Sequence, residues 1–383
     1  MIVFNIEKLL NRGVEEVIEK SSLEKKLKSG KKLRVKLGID PTKPDIHLGH
    51  TVPLRKLRQF QDAGHKAVLI IGDFTAQIGD PSGRSEERSV LTEREVKNNF
   101  KNYLRQAGKV IDLKKAEIRY NSEWLDKDKK IFLKLAALAT SQQILERDDF
   151  QKRFQAGIGP TLLEMMYPLC QGYDSVMVKA DVEIGGTDQK FNLLMGRRLQ
   201  RRFNQPEQDI ITLPLVEGTD GVRKMSKSFG NYIGLEEKPN IMFGKLMSIP
   251  DSLISRYFEF FTDAEQPKQE KPYNQKLILA ETIVSIYHSA ATSAKAKEEF
   301  LRVFSRKELP KELPKIKVGK NQLPLLELVV LASGKSRSEC RRLIQQKAVS
   351  LSERVINDPS EMVFPHSGDV LRIGRLSFFK LEI

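Results

Sequence analysis

Residues 33–72 read LRVKLGIDPTKPDIHLGHTVPLRKLRQFQDAGHKAVLIIG, and this stretch decides the fold. Apolar residues alternate with others over 33–39, which predicts a strand. They then recur at helical spacing over 48–63, and Gly64 ends this helix. Residues 67–72 form a uniformly apolar run that is typical of a buried strand. Strand, helix and strand in close succession predict a βαβ unit with parallel strands and a right-handed crossover.

The alternation continues through the first 235 residues. The patterns predict an amphipathic helix over 6–28, a polar helix over 92–107, a helical insertion near 122–170, short strands at 176–178 and 181–184, a helix opened by Gly185-Gly186, and a strand over 210–215. The fold class expected is α/β, with a doubly wound, Rossmann-like parallel sheet in a domain of residues 1–235.

Three further segments follow this domain. Residues 236–308 have helical periodicity and predict an α-helical domain, while residues 309–322 contain two prolines, a glycine and several lysines and predict a linker. Residues 323–383 have their own signals, with a basic helix over 333–345 and strands over 349–351 and 370–373. They predict a small α+β domain.

Composition narrows the class of protein. The 383 residues carry a formal net charge of +15, which favours a polyanionic partner such as nucleic acid. Neither an apolar run long enough to span a membrane nor a secretory signal is recognisable, so a cytoplasmic location without membrane contact is expected. The two cysteines, Cys170 and Cys340, are far apart and predict buried reduced thiols, not a disulfide or a zinc site. No metal site is predicted.

The first motif is His47-Leu48-Gly49-His50, at the start of the helix in the βαβ unit. Helix N-termini present N–H groups that favour anions, and residues three apart share a helix face. The glycine allows a flat ring or a phosphate to approach the backbone. The pattern suits the phosphates and adenine of ATP; the alternative is an incidental histidine pair on a surface helix.

The second motif is Lys224-Met225-Ser226-Lys227-Ser228, which predicts a mobile cationic loop; alternatively it is an ordinary solvated basic loop. Together the two motifs resemble the signatures of class I aminoacyl-tRNA synthetases. Adenylyltransferases of the same superfamily share the first but generally not this form of the second. The resemblance implies ATP contacts from nine residues, namely Thr42, His47, Gly49, His50, Gly186, Asp188, Lys224, Lys227 and Ser228.

A third group of motifs suggests the amino acid. The runs Tyr167–Asp174 and Ile184–Gln189, with the loop Gly79–Gly83, resemble the bacterial tyrosyl-tRNA synthetase family, and the resemblance extends from Leu33 to the C-terminus. It implies that the α-ammonium of tyrosine is held by Asp80, Tyr167 and Gln171, that Asp174 accepts the hydrogen bond of the phenol, and that Gln189 lines the same pocket. A buried phenol needs such an acceptor.

One position departs from the common pattern of that family. Many bacterial members have a tyrosine two residues before the glycine of the first strand, where it touches the substrate phenol. Here the residue is Lys36, within a run that resembles a second bacterial branch. Lys36 either points away from the pocket or forms part of a rearranged phenol site, and the sequence leaves both open.

The resemblance implies a two-step reaction: tyrosine and ATP, with Mg²⁺, give tyrosyl-adenylate and pyrophosphate, and tyrosine then passes to tRNA(Tyr). The catalytic residues implied are His47, His50, Lys224, Lys227, Arg84 and Arg88. A homodimer is implied too, with its interface around 141–154. Alternatives are a tryptophan–tRNA ligase, a non-catalytic RNA-binding relative, and a small-molecule adenylyltransferase.

The basic helix near the C-terminus resembles part of a small RNA-binding fold named after a ribosomal small-subunit protein. By this resemblance Lys335, Arg337, Arg341 and Arg342 contact tRNA phosphates without reading bases. The alternative is a solvated basic helix.

Overall fold

The computed structural model describes residues 5–41, 45–82, 92–128, 130–305, 313–319, 322–374 and 377–383. These residues fall into two compact units. The first contains residues 5–237 and 248–283, and the second contains residues 238–247 and 284–383, with the gaps given above.

A six-stranded sheet forms the centre of the first unit. Its strands are β1 (Glu16–Ile18), β2 (Arg34–Ile39), β3 (Lys66–Ile71), β4 (Glu117–Tyr120), β5 (Val182–Gly186) and β6 (Asp209–Leu213). The order across the sheet is β1-β6-β5-β2-β3-β4. All neighbours are parallel except β1, which pairs antiparallel with β6 at the edge. The Rossmann-like fold class is therefore confirmed, with a mixed sheet in place of an all-parallel one.

Helices surround this sheet. Those of the first unit are α1 (Ile6–Asn11), α2 (Lys20–Lys28), α3 (Leu48–Asp62), α4 (Thr75–Ile78), α5 (Glu93–Ala107), α6 (Ser122–Leu125), α7 (Ile131–Ala136), α8 (Ser141–Leu145), α9 (Asp148–Gln155), α10 (Leu162–Val178), α11 (Lys190–Arg202) and α13 (Ile254–Phe261). The chain leaves β2 towards β3 on one side and later places β5 on the other side. In such sheets ligands bind outside the carboxyl ends of the strands, where the order reverses.

Two predicted elements in this unit are wrong. Residues 176–178, expected as a strand, form the last turn of α10, whose inward face packs against the apolar core of the insertion. The single helix expected over 6–28 is two helices with β1 between them. Gly13 follows α1 with a φ of 65°, a value that L side chains rarely adopt, and the chain turns there into the edge strand.

The second unit combines helices with a five-stranded sheet. Its helices are α12 (Pro239–Met247), α15 (Ala290–Ser305), α16 (Leu325–Ser333) and α17 (Arg337–Gln345), and α14 (Pro272–Tyr287) ends in it. The strands are β7 (Lys315–Lys317), β8 (Leu323–Pro324), β9 (Val349–Leu351), β10 (Arg354–Val355), β11 (Met362–Val363), β12 (Val370–Ile373) and β13 (Ser377–Glu382). The sheet order is β10-β9-β12-β13-β7, and β8 pairs separately with β11.

Two predicted boundaries differ from these units. Part of the expected linker, residues 309–322, is the strand β7, which pairs parallel with β13 and so belongs to the small sheet. The expected helical domain, residues 236–308, is divided, because 248–283 pack in the first unit and the rest in the second. Hydrophobic periodicity reports that a segment is helical but not which core it joins.

Both cysteines are buried as free thiols. Among the helices of the described ranges, none combines the length and the apolar character that a membrane crossing requires.

Candidate active site

Two adjoining cavities open at the carboxyl ends of β2 and β5, where the strand order reverses. The inner cavity has a volume of about 260 Å³ and the outer cavity about 450 Å³. Asp40, His50, Pro53, Tyr103 and Gly186 line both, so the cavities are continuous. The sheet topology thus gathers the sequence motifs around one cleft.

The histidine motif begins α3 at the outer cavity. The two imidazole rings lie with their centroids 3.8 Å apart, and the His47 N–H donates to Nδ1 of His50 at 3.3 Å. This bond assigns the ring proton of a neutral His50 to Nε2. The N–H groups of the first turn of α3 and the aligned peptide dipoles favour an anion at this end.

Packing joins the two motifs directly. Met225 of the lysine motif is buried, and its Sδ accepts a hydrogen bond from the N–H of Gly49 at 3.3 Å. A side chain at position 49 would lie 3.1 Å from the His47 ring, so only glycine leaves the imidazole its place. The glycine and the methionine therefore fix the distance between histidines and lysines.

Asn231 organises the lysine loop, a role that the sequence did not reveal. Its buried amide accepts from the N–H of Ser226 at 2.8 Å and donates to Oδ2 of Asp220 and to the carbonyls of Arg223 and Lys224. One side chain thus holds the backbone beside the first lysine and between the two. An asparagine three residues after the motif carries no sequence signal of this role.

The two lysines extend across the outer cavity. Lys224 pairs with Asp188 at 2.9 Å, and Lys227 pairs with Asp45 at 2.6 Å. Asp188 follows β5 and Asp45 precedes α3, so the loop is tied to both walls of the cleft. Its cations face the end of α3 where an anion is favoured.

Asp174 lies in the wall of the inner cavity and is 3% exposed. Its Oδ1 accepts from Nε1 of Trp124 at 2.8 Å, and its Oδ2 lies 3.5 Å from Nδ2 of Asn121. Burial raises the pKa of this carboxyl to about 7, against the lowering effects of the Lys36 charge and the two donors. A buried, oriented carboxylate of this kind can accept a hydrogen bond from a hydroxyl group.

A second polar group lines the same cavity. Asp80 accepts from Nε2 of Gln189 at 2.7 Å, and Nδ2 of Asn192 donates to the side-chain oxygens of Gln171 and Gln189, each at 3.0 Å. Behind them, the Arg147 guanidinium donates to Oδ1 of Asn192 at 2.8 Å. A carboxylate with neutral oxygens is a suitable partner for an ammonium ion.

Tyr167 is held by Asp40, which no sequence argument had given a role. The phenol donates to Oδ2 of Asp40 at 2.9 Å, and Oδ1 accepts from Thr75 Oγ1 at 2.8 Å. Burial and the nearby Asp40 charge raise the pKa of Tyr167 well above its ordinary value. The phenol is therefore a neutral, oriented group in the cavity wall.

Lys36 points away from the cavity. It is 0% exposed, does not belong to the described lining of the inner cavity, and pairs with the equally buried Glu183 at 2.7 Å. The sequence left open whether Lys36 points away from the pocket or forms part of the phenol site, and the structure favours the first of these.

The structure brings thirteen of the sequence-predicted residues to this cleft: His47, Gly49, His50, Asp80, Tyr167, Gln171, Asp174, Gly186, Asp188, Gln189, Lys224, Lys227 and Ser228. Thr42, Arg84 and Arg88 lie outside the described residues. Sequence reasoning missed Asn121 and Trp124, which stand at the carboxyl end of the unpredicted strand β4. Because the sequence did not predict that strand, no sequence argument placed Asn121 and Trp124 near Asp174.

Arg147 and Phe150 belong to the segment 141–154, where the resemblance implied a dimer interface, and both are buried within the chain. Arg147 is buried against Asn192 and Ser82, and Phe150 is buried in the core of the insertion. Charge and periodicity in a short helix could not distinguish these positions from surface ones.

The basic helix of the second unit is α17. Lys335, Arg337, Arg341 and Arg342 are exposed, whereas Cys340 and Ile344 face the small apolar core. Lys335 also pairs with Glu339. The helix therefore presents a cationic face to solvent.

No cluster of three or more His, Cys, Asp or Glu side chains suited to a metal ion occurs in the part of the chain that the structure describes. The cleft offers instead cations, a helix N-terminus and a separate polar cavity. This arrangement, at the point where the strand order reverses, suits a phosphate-bearing ligand beside a smaller polar one.

Comparison with known proteins identifies the family. The family model described as tRNA synthetases class I (W and Y) matches residues 28–305, and the S4 domain model matches residues 324–370. The tyrosine–tRNA ligase of Thermotoga maritima is 46% identical over 389 residues, covering 98% of this chain and 96% of that one. The tyrosine–tRNA ligase of Carboxydothermus hydrogenoformans is 48% identical and covers 97% and 96%. The chain belongs to the tyrosine–tRNA ligases, and the tryptophan alternative is not favoured.

Solved structures agree on the fold. A tyrosyl-tRNA synthetase from Archaeoglobus fulgidus, crystallised with L-tyrosine, has a TM-score of 0.61 at 21% identity and covers 76% of this chain and 98% of its own. A C-terminally truncated mitochondrial tyrosyl-tRNA synthetase from Coccidioides posadasii has a TM-score of 0.63 at 23% identity, covering 76% and 90%.

Proposed function

We propose that the chain activates L-tyrosine with ATP and transfers it to tRNA(Tyr). The observation that carries this proposal is the continuous cleft, with Asp174 in its inner part and the lysine loop and α3 at its outer part. The inner cavity takes the amino acid and the outer cavity takes ATP.

Tyrosine binds with its phenol on Asp174 and its ammonium beside Asp80. Gln171, Gln189 and the Tyr167 hydroxyl complete the ammonium site, while Asn192 orients both glutamines. The tyrosine carboxylate then points to the outer cavity. It is already ionised at neutral pH, so its attack on the α-phosphorus needs positioning and charge stabilisation but no general base.

The phosphates lie between α3 and the lysine loop. His47, His50 and the first-turn N–H groups contact them from one side, and Lys224 and Lys227 from the other, exchanging their carboxylate partners for phosphate oxygens. Negative charge develops on the departing pyrophosphate, where the two ammonium groups stabilise it. Mg²⁺ arrives with ATP as part of the substrate, held mainly by phosphate and water.

Mixing the enzyme with ATP and tyrosine in a single turnover tests the first step. We expect pyrophosphate release and an enzyme-bound tyrosyl-adenylate before any tRNA is added. A requirement for tRNA in adenylate formation would contradict the proposal.

We propose that α17 binds the phosphate backbone of tRNA. Reversing charge in R341E/R342E should raise the KM for tRNA by about 10-fold or more, because two phosphate contacts are replaced by repulsion. Pyrophosphate exchange should be unchanged. The matched control is K25E/K28E, which reverses two exposed charges on α2 of the first unit. An equal loss of exchange and aminoacylation in R341E/R342E would refute this role.

We further propose a homodimer. Four large apolar side chains lie exposed between residues 154 and 163, with Leu162 at 82% exposure and Phe154, Ile158 and Leu163 near half. Large apolar side chains that are exposed close together along the chain favour association. This group adjoins the segment 141–154 expected from the sequence. A molar mass in solution equal to that of a single chain would exclude the dimer.

A further inference from the structure

Lys36 is the residue for which neither the sequence nor the family pattern gives a role. Its position in β2 is set opposite Glu183 of β5 by the parallel register, so the two side chains leave the same face of the sheet. That face packs against α10, the helix that carries Gln171 and Asp174. The ion pair therefore lies directly beneath the tyrosine cavity.

The Lys36 ammonium is enclosed by three oxygen atoms. It forms an ion pair with Oε1 of Glu183 at 2.7 Å, and it donates hydrogen bonds to Oγ of Ser175 at 2.8 Å and to the carbonyl of Gln171 at 2.9 Å. All three partners lie on the protein side, so the ammonium is directed away from a substrate in the cavity. Lys36 is thus not a substitute for a phenol-binding tyrosine.

Glu183 is equally enclosed. Its Oε2 accepts from Ser175 Oγ at 2.9 Å and from the buried Gln208 amide. The network needs space from α11, and Gly196 provides it: a Cβ there would lie 2.6 Å from Nε2 of Gln208 and 3.1 Å from Oε2 of Glu183. A glycine inside a helix is less stable there than alanine would be. The closed network gives a reason for its presence.

We propose that the buried Lys36–Glu183 pair is a positioning device for tyrosine, in which Lys36 fixes α10 through the Gln171 carbonyl and Ser175. The Lys36 charge also favours the carboxylate form of Asp174. Asp174 carries the specific contact with the phenol, and Glu183 limits how strongly Lys36 acts on it. The proposal rests on tyrosine being the substrate of this cleft.

The balance of charges around Asp174 supports this role. The charged or titratable side chains packed around it or lining the same cavity are Lys36 from β2, Glu183 from β5, Tyr167 and Cys170 from its own helix, and Asp40, His50, Asp80 and Tyr103 across the cavity. The Lys36 charge lowers the pKa of Asp174 and the Glu183 charge raises it. The other groups are the same in every variant considered below.

The chain contains a direct reporter of Asp174. Trp124 is its only tryptophan, and its indole N–H donates to the Asp174 carboxylate. The fluorescence of the intact enzyme, measured against pH without substrates, therefore follows the protonation of Asp174 and requires no catalysis. A failure of the proposed function would leave this titration intact, so the two ideas can be rejected separately.

Glu183→Gln and the neutral double variant K36M/E183Q test the inference. E183Q removes the negative charge that opposes the Lys36 charge near Asp174. The midpoint of the Trp124 titration should therefore fall by about one pH unit. The double variant should have a midpoint above the wild-type value, because the lowering effect of the Lys36 charge is the larger of the two effects that are removed. Asp209→Asn is the matched control, since it neutralises a buried carboxylate on the neighbouring strand β6 and should not move the midpoint.

Equal midpoints in E183Q and the wild type, or a higher midpoint in E183Q, would overturn the inference. If E183Q did not fold, the double variant, which buries no charge here, would decide the matter. Its KM for tyrosine should rise about 10-fold from the lost anchor on α10, with the KM for ATP within about twofold. An unchanged KM for tyrosine would overturn the positioning role.

Discussion

Replacing Lys227 by alanine is expected to slow tyrosyl-adenylate formation by about 10²–10³-fold while leaving tyrosine binding unchanged. Lys227 reaches across the outer cavity to Asp45 and is only about one-fifth exposed, so its charge acts in a partly desolvated site. Its proposed contact is with the leaving pyrophosphate, where charge develops only as the reaction proceeds. The loss should therefore appear in kcat and not in the KM for tyrosine.

Rapid-quench measurement of the first turnover checks this result. Lys114→Ala serves as a control, because it removes an exposed lysine of the same unit far along the sequence from both motifs. A K227A enzyme with full activity would refute the proposed role of the loop. So would a variant that lost tyrosine affinity and rate in equal measure.

Asp174→Asn should weaken tyrosine binding by about 10²-fold and remove most of the preference for tyrosine over phenylalanine. Trp124 already donates to Oδ1, so the amide would turn its N–H₂ towards the substrate phenol, which then has no acceptor. Tyrosyl-tRNA synthetases are the standard example of such discrimination, about 10⁵-fold against phenylalanine, and that figure belongs to the family. Asp62→Asn, an exposed neutralisation on α3, is the control.

The pH dependence of the same site follows from the pKa of about 7. As the pH falls through 7, Asp174 takes up a proton and tyrosine binding by the free enzyme should weaken. Stability has the opposite sign, because a carboxyl whose folded pKa is raised costs folding free energy once it ionises. That cost is absent below the unfolded pKa, near 4, and complete above about 7. D174N should therefore gain thermal stability over wild type as the pH rises from 4 to 8, while it loses affinity.

If the Tm of D174N equalled the wild-type Tm at every pH, ionisation of Asp174 would cost no folding free energy, and the prediction would be wrong. Tyrosine binding that did not change between pH 5 and pH 8 would contradict the expected protonation of Asp174 in this range.

The predictability of this fold depended on the strength of the hydrophobic pattern. Residues 33–72 were recognisable because two apolar strands flank a strongly periodic helix, and β2, α3 and β3 lie where they were expected. The strand β4 has only four residues, Glu117–Tyr120, and two of them are charged. Its burial comes from pairing with β3, a contact that local sequence does not report.

At the end of α10 the sequence predicted a strand, whereas the structure has a helix. Val176-Met177-Val178 contains two β-branched valines and favours a strand by propensity, but it continues a helix that begins with a capping box at Thr161. Packing of that helix on the insertion core overrides the local preference.

The site was predictable where residue types repeat a known motif and not where a residue acts through another. His47, His50, Lys224 and Lys227 were recognisable because their two runs together resemble the signature motifs of a known family. Trp124, Asn192 and Asn231 act on site residues that are 50, 21 and 7 positions away, respectively. Glu183 pairs with Lys36, which is 147 positions away and lies behind the site. Only the folded chain brings these pairs together.

ATP–pyrophosphate exchange with tyrosine, tryptophan and phenylalanine in parallel measures which amino acid the cleft selects. We expect exchange that is saturable with tyrosine and at least about 10⁴-fold lower in kcat/KM with phenylalanine, because Asp174 is left unpaired when the hydroxyl is missing. Exchange with tryptophan should be at background, since the inner cavity is about 260 Å³ and presents a carboxylate to a phenol. Equal exchange with tyrosine and phenylalanine, or a preference for tryptophan, would contradict the assignment of the cleft.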